Sequence, residues 1–344
     1  MDLEQFDPAA GGAPVRACHQ IYLAGMPLDD PDGPVMPART FAAWLALGWT
    51  EDPSEAWLAR TAAGPAGWYV LRLPHRENRH QAMIGLVVHP DHRRQGLGLA
   101  LLRHAAGRAR QHGRTLLSGE AREGSAGSAF ARAVGARSEI TEVRRLLQLN
   151  GQPPAQLPTL RAEAERAAAG YALRHWAGPA PVDLLADIAR LYADTADIPR
   201  EAGLEPQRWD AERVRLDEQR GSRMGLRQYT VAAIPPDGAG LAGLTALAVD
   251  PPTPDWGYQE LTIVARAHRG HRLGLLLKVA MLDLLARREP QLARIITGNA
   301  DGNQHMIAIN TALGFTVLDR WPAWQLDLAA QTGPGRPAVA VTAG

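Results

Sequence analysis

The sequence predicts an α/β (α+β) chain built from two tandem copies of one unit, each a mixed, twisted sheet flanked by helices. Three observations carry this. At 344 residues the chain has room for two ordinary domains. The stretch NGQPPAQLP, residues 150–158, joins adjacent prolines to a loss of periodicity and reads as a linker. The same order of helical and strand patterns runs on both sides of it. The expected boundaries are 1–150 for the first unit, 151–170 for linker and connecting helix, 171–330 for the second unit, and 331–344 for a disordered tail.

In the first unit, VRACHQIYLAG and ARTFAAWLALGW carry apolar residues at helical spacing. GWYVLRLP and QAMIGLVVHP are β-rich runs separated by the polar turn HRENRH. A glycine turn then opens the helix LGLALLRHAAGRARQHG, followed by the strand TLLSGEA, the helix SAGSAFARAVGA and the strand VRRLLQL. TLRAEAERAAAG, strong helix formers ended by Gly170, reads as the connecting helix. The second unit repeats the order. YALRHWA is a strand, and PVDLLADIARLYA and PQRWDAERVRLDEQR are helical. RQYTVAAIPP, GLAGLTALAVD and YQELTIVAR are strands; HRGHRLG leads into LLLKVAMLDLLARR. ARIITGN, NQHMIAINTALGF and WPAWQLDL close it as strand, helix with turn, and strand.

Acidic and basic side chains nearly cancel, with a net charge of +1, which argues against a nucleic-acid binder. Cys18 is the only cysteine, so an internal disulfide is impossible and a cysteine metal site is disfavoured. The acidic start MDLEQFDPAA has no apolar core of a signal peptide, and no apolar run approaches the roughly 20 residues that span a bilayer. These features predict a cytoplasmic protein with no membrane partner and no metal. Lys278 is the only lysine among abundant arginine and alanine, a bias that suggests a GC-rich bacterial source.

The stretch HPDHRRQGLGLALL, residues 89–102, poses the functional question. A helix start leaves N–H groups unpaired and partly positive, and a glycine loop before it can aim several of them at one anion. Arg93 and Arg94 add charge that suits a diphosphate. The alternative is a tight strand-to-helix turn with no ligand. The second unit repeats the turn, with Val88 matching Val264, His92 matching His268, Arg93 matching Arg269, and Gly98 matching Gly274.

At these residues the chain resembles the GNAT superfamily of acetyl-CoA-dependent N-acetyltransferases, whose signature is Arg or Gln, two residues, Gly, one residue, Gly or Ala. Arg93, Gly96 and Gly98 match it, and both halves follow the family's element order. In architecture the chain resembles tandem GNAT proteins of the mycothiol-synthase type. The resemblance implies acetyl-CoA as cosubstrate, lying where two parallel strands splay apart. It places Val88, Arg93, Arg94, Gln95, Gly96, Leu97 and Gly98 around the cofactor in the first half. In the second it places Val264, Arg269, Gly270, His271, Arg272, Leu273 and Gly274 there, with Asn303 bordering the pantetheine arm.

The second loop departs from the signature at Arg272, which replaces its first glycine. Many family members carry a tyrosine acid seven residues after the late asparagine; here that place is Asn310, and Ala131 in the first half. Asparagine donates hydrogen bonds but is no useful acid.

Acyl transfer to an amine needs a base to free the nitrogen lone pair. Glu260, in YQELTIV with Tyr258 and Thr262 at period two, is the candidate; its counterpart is Ile84, and Glu120 is a weaker substitute in the first half. A surface glutamate is the competing reading for Glu260. The pairs His89 and His92, and His268 and His271, lack neighbouring metal ligands and read as phosphate-proximal or solvent-facing. Ser118 and Ser125 have no nucleophile-elbow context. Trp44 and Trp57 read as core or interface, and Trp209 as core or acceptor pocket.

The functional expectation is an N-acetyltransferase for a small-molecule amine. Its chemistry is expected in the second half, which keeps Glu260, Asn299, Asn303 and Asn310. The alternatives are a non-catalytic acetyl-CoA-binding regulatory module and a protein N-acetyltransferase.

Overall fold

A computed structural model of the chain describes residues 1–48, 52–149, 151, 154–194 and 203–329. The predicted tail at 331–344 and part of the predicted linker lie outside the described residues. The first half runs β1 (Asp2–Phe6), α1 (Gly12–Asp29), α2 (Ala38–Leu47), β2 (Ser54–Thr61), β3 (Gly64–Arg72), β4 (Gln81–Val88), α3 (Leu97–Gln111), β5 (Leu116–Glu120), α4 (Ala126–Ala133) and β6 (Arg137–Gln148). The connecting helix α5 (Leu157–Ala167) follows. The second half runs β7 (Ala172–Ala177), α6 (Leu185–Ala193), α7 (Ala211–Arg223), β8 (Arg227–Ile234), β9 (Gly243–Val249), β10 (Trp256–Val264), α8 (Leu273–Arg288), β11 (Arg294–Ala300), α9 (Gln304–Ala312) and β12 (Thr316–Asp327).

Local chemistry explains the element ends. Asp210 caps α7 by accepting from Arg213 N at 2.7 Å, so the helix starts later than the apolar spacing suggested. Ser125 caps α4 through Ser128 N. Two strands went unread. β1 is five residues at the sheet edge, and β2 carries no clean alternation, with burial on successive residues Leu58 and Ala59.

Each half layers helices on both faces of the sheet. In the first half α3 packs Leu101, Ala105 and Ala109 on one face, while α1 and α2 pack Ile21, Phe41 and Leu45 on the other. In the second, α8 supplies Leu277, Met281 and Leu285 to one core, and α6 and α7 supply Ile188 and Val214 to the other.

The expected two sheets are one. All twelve strands join in the order β1-β2-β3-β4-β5-β12-β6-β11-β10-β9-β8-β7. The closing strands are exchanged: β12, from the second half, pairs with β5, and β6, from the first, pairs with β11. The exchanged strands pair antiparallel with each other across residues 316–325 and 137–146. The chain changes halves near residue 150, but the sheet does not divide there.

Deleting β12 would leave β5 and β6 as long bare edges at the centre of the molecule. A chain ending at residue 315 should aggregate and lack a cooperative transition by circular dichroism and size exclusion. A monomeric, cooperatively folding truncation would contradict the exchange.

Candidate functional site

The sheet opens twice. β4 and β5 run parallel and pair only from Gln81–Leu116 to Met83–Ser118; beyond that, 84–88 have no partner on that side. β10 and β11 pair only from Trp256–Arg294 to Gln259–Thr297 and then part as well. A strand edge with unpaired N–H and C=O groups therefore leads to each glycine turn.

The two turns share a backbone and differ in side chains. Each has a short 3-10 turn, Pro90–His92 or Arg266–His268, and two left-handed positions before the helix. In the first these are Arg94 (φ 62) and Gly96 (φ 82); in the second, Gly270 (φ 88) and Arg272 (φ 50). Glycine and arginine have traded places. An L-residue costs roughly 1–2 kcal/mol in that region, so both turns hold one strained arginine.

In the first turn a Cβ added at Gly96 would meet nothing within 4 Å, so the space over the helix start is open. Arg93 does not point into it. Its Nε donates to Val88 O at 3.0 Å and its terminal nitrogens to Asp29 at 3.0 and 2.6 Å, locking the turn to β4 and to the end of α1. Gln95 Nε2 donates to Asp91 O at 3.0 Å. Among the described residues Arg94 carries no such bond and lines the cavity with Gly96 and Gly98; the bonded Arg93 and Arg103 of α3 line it as well.

From this turn a groove runs between α3 and α4, lined by Leu99, Leu102 and Arg103 on one side and Phe130 and Val134 on the other. It is one end of a cavity of about 1890 Å³ that passes Ile84 and Gly119 and continues to Tyr192, Trp209 and Glu260 of the second half. Trp209 thus lines the cavity, edge-on to Tyr192 with ring centres 4.7 Å apart, and Arg213 lies 4.9 Å over it.

The second turn is also exposed, but its side chains are engaged differently. The Arg272 guanidinium pairs with Glu163 on the connecting helix. Tyr171 hydroxyl meets His268 Nδ1 at 3.0 Å, and its ring centre lies 5.5 Å from that of His271. Arg269 Nε donates to Val264 O at 3.3 Å, repeating the Arg93 lock. Leu273 is core, and a Cβ added at Gly274 would sit 3.0 Å from Ile309, against 3.6 Å from Phe130 for one added at Gly98, so α8 and α9 approach somewhat more closely than α3 and α4. A smaller cavity of about 370 Å³ remains where β10 and β11 part, lined by Glu142, Glu260, Lys278, Thr297, Asn299 and Asn303 among others.

Glu260 lies beside a bulge. Pairing of β10 with β9 shifts register between Gln259 and Thr262. Gln259 Nε2 donates to Thr245 Oγ1 at 3.1 Å, and Thr262 Oγ1 also meets Thr245 Oγ1, at 2.7 Å. Thr262 therefore shares the side of Gln259, and the period-two face expected for Tyr258, Glu260 and Thr262 is broken by the extra residue. Glu260 faces cavity solvent while protein surrounds it. Burial pushes its carboxyl up to about 7, Asp217 adds to the rise and Arg220 opposes it.

Asn310 is fully buried and outside both cavities; its Nδ2 donates to Asn299 Oδ1 at 2.7 Å, and its own Oδ1 has no partner. Asn303 caps α9, its Oδ1 accepting from Met306 N at 3.2 Å. The sequence reading missed Lys278 and Glu142. Burial lowers the Lys278 amine to about 7 and raises the Glu142 carboxyl. A lone lysine on the apolar face of LLLKVAMLDLL was the visible signal. Among the described residues no three His, Cys, Asp or Glu side chains gather as a metal site, and no helix is long and apolar enough to cross a membrane.

Residues 16–128 match the family model for the acetyltransferase (GNAT) family. A tandem GNAT protein from the clavulanic acid biosynthesis pathway, solved without AcCoA, superposes with TM-score 0.75 and 28% identity over 97% of this chain and 100% of that one. A GCN5-related N-acetyltransferase from Sphaerobacter thermophilus superposes with TM-score 0.66 and 18% identity over 95% of this chain and 96% of its own. No curated protein matches in sequence. The chain carries a GNAT acetyltransferase domain in its first half. Over its length it has the fold of tandem GNAT proteins.

An ordinary glutamate titrates at about 4.3. Between that and about 7, folded Glu260 holds a proton that the unfolded chain releases, so stability falls as pH rises through this window. Glu260→Gln should therefore gain melting temperature over the wild type as pH goes from about 5 to about 8. A difference that stays flat with pH would refute the raised pKa.

Proposed function

We propose that the chain transfers an acetyl group from acetyl-CoA to the primary amine of a small molecule, and that the first half holds the donor. The observation that carries this is the open groove between α3 and α4, ending at a glycine turn with clear space over Gly96. In this reading the N–H groups of 94–98 and the start of α3 face the diphosphate, with Arg94 beside them. The pantetheine arm runs along the bare edge 84–88, whose unpaired backbone groups suit its amides. The thioester then lies where β4 and β5 part, next to Ile84 and Gly119. The amine enters from the large cavity, attacks the thioester carbonyl, and the tetrahedral adduct expels the CoA thiolate.

The sequence weighs the second half for the chemistry because of Glu260. Strand order moves that weight. Glu260 on β10 is five strand spacings from β4, about 24 Å along the sheet at ~4.8 Å each. Glu120 ends β5 beside the parting and lines both cavities. We therefore assign base catalysis to Glu120, and to Glu260 a role at the far end of the cavity. Arg272, strained at the place of the signature glycine and tied to Glu163, favours the same division.

Gly96→Val strains a left-handed position and crowds the diphosphate. It should weaken acetyl-CoA binding by about tenfold or more in calorimetry, while Arg272→Ala leaves it unchanged. Glu120→Gln should lower kcat for thiol release with a responsive amine by about 10²–10⁴-fold. Loss of binding in Arg272→Ala alone, or loss of turnover in Glu260→Gln with Glu120→Gln intact, would place donor and chemistry in the second half. Acetyl-CoA binding with no thiol release across amino acids, polyamines, aminoglycosides, amino sugars and aminophosphonates would favour the regulatory module.

A further inference from the structure

Lys278 has no function in the reading above. It is the only lysine of the chain, 3% exposed, on a helix that otherwise buries Leu275, Leu276, Leu277, Val279 and Met281. Among the described residues it has no hydrogen bond or ion pair; its one contact of note is the Phe315 ring, 5.3 Å away. Burying an amine without a partner costs several kcal/mol, and its pKa falls as a result. The matching position of the first half, four residues past Gly98, is Leu102. So packing alone is served there by an apolar residue.

Lys278 lines the small cavity, and two amides beside it have donors to spare. Asn299 spends its oxygen on Asn310, and Asn303 spends its oxygen on the α9 cap; each NH₂ group remains. Among the described residues none of these three donor groups bonds a carboxylate of the chain, and together they suit an incoming one. The cavity also holds the carboxyls of Glu142 and Glu260. Both side chains are exposed to the cavity's solvent, so their carboxyls are free to meet a cation there. At about 370 Å³ the space admits a small molecule with water.

We propose that the cavity of the second half binds a small amino acid, its carboxylate received by Lys278, Asn299 and Asn303 and its ammonium facing Glu142 and Glu260. This goes beyond acetyl transfer and is tested without turnover. Glu120, Gly298 and Trp321 line both cavities, so the bound amino acid opens onto the large one.

The test is calorimetry on the full chain with L-alanine, L-asparagine and L-ornithine as probes, and with 1,4-diaminobutane and glutarate, each lacking one pole, as controls. At least one amino acid should bind with one-to-one stoichiometry, and the controls about tenfold more weakly or not at all. Lys278→Met keeps the length and removes the buried amine. It should raise the melting temperature, weaken the amino acid by about tenfold or more, and leave acetyl-CoA binding unchanged. Asn303→Asp keeps the helix cap and turns a donor into a repelling charge, so it should weaken the amino acid as well. No binding of any of the three amino acids, equal binding of a one-pole control, or unchanged affinity in both variants would overturn the site. Failure of acetyl-CoA to bind the wild type would count against the donor groove and leave these readouts intact.

Discussion

The pairing of β6 with β12 is the contact on which the rest depends. Each strand leaves the half that made it and completes the sheet of the other, so neither half has a closed sheet alone. Arg144, in the middle of β6, reinforces the seam. Its Nε donates to Asp319 at 2.7 Å and Nη1 to Asp30 at 2.9 Å, and its guanidinium lies 4.7 Å over Trp321. One side chain thereby joins β6, β12 and the segment after α1. The two carboxylates hold its pKa above the ordinary arginine range against the opposing effect of burial. Removing Arg144 would leave the carboxylates of Asp30 and Asp319, both little exposed, without it, so the seam is held by cost as well as attraction.

A shared sheet produces a shared cavity. Had each half closed its own sheet, the two partings would face separate solvents. With the strands exchanged, one continuous space runs from the first turn to Glu260. Direct contacts between the halves wall it. Thr40 donates to Asp250 at 2.6 Å, and Glu77 accepts from Arg208 N at 2.9 Å and from the Arg213 guanidinium at 3.0 Å. These bonds fix α2 and the turn after β3 against the second half, which sets the cavity's width.

Duplication let the two turns diverge without losing their backbone. The same pair of left-handed positions persists, but the arginine sits first in one copy and second in the other. Placed second, at Arg272, the side chain reaches Glu163 on the connecting helix; placed first, at Arg94, it lines the large cavity. The closer approach of α8 and α9 and the Leu102-to-Lys278 change belong to the same divergence. The large cavity follows the first turn, and the small polar one lies where β10 and β11 part.

The sequence by itself determined the duplication, the order of nearly all elements and both glycine turns. Those signals are local: apolar period, caps, and glycine where φ is positive. Glu260 was also visible as a carboxylate on the strand before the second turn. The sequence did not show β1 or β2, whose edge position and mixed burial blur the period, nor the bulge that turns Thr262 away from the face of Glu260. Tertiary structure alone decided which sheet each closing strand enters, because a strand's pattern encodes its two faces and not its neighbours. It alone decided that Arg93 serves the fold, that Asn310 is walled in, and that Lys278 stands unpaired over a cavity. Those depend on side chains brought together from segments distant in the chain, where distance and burial, not spacing, set the chemistry.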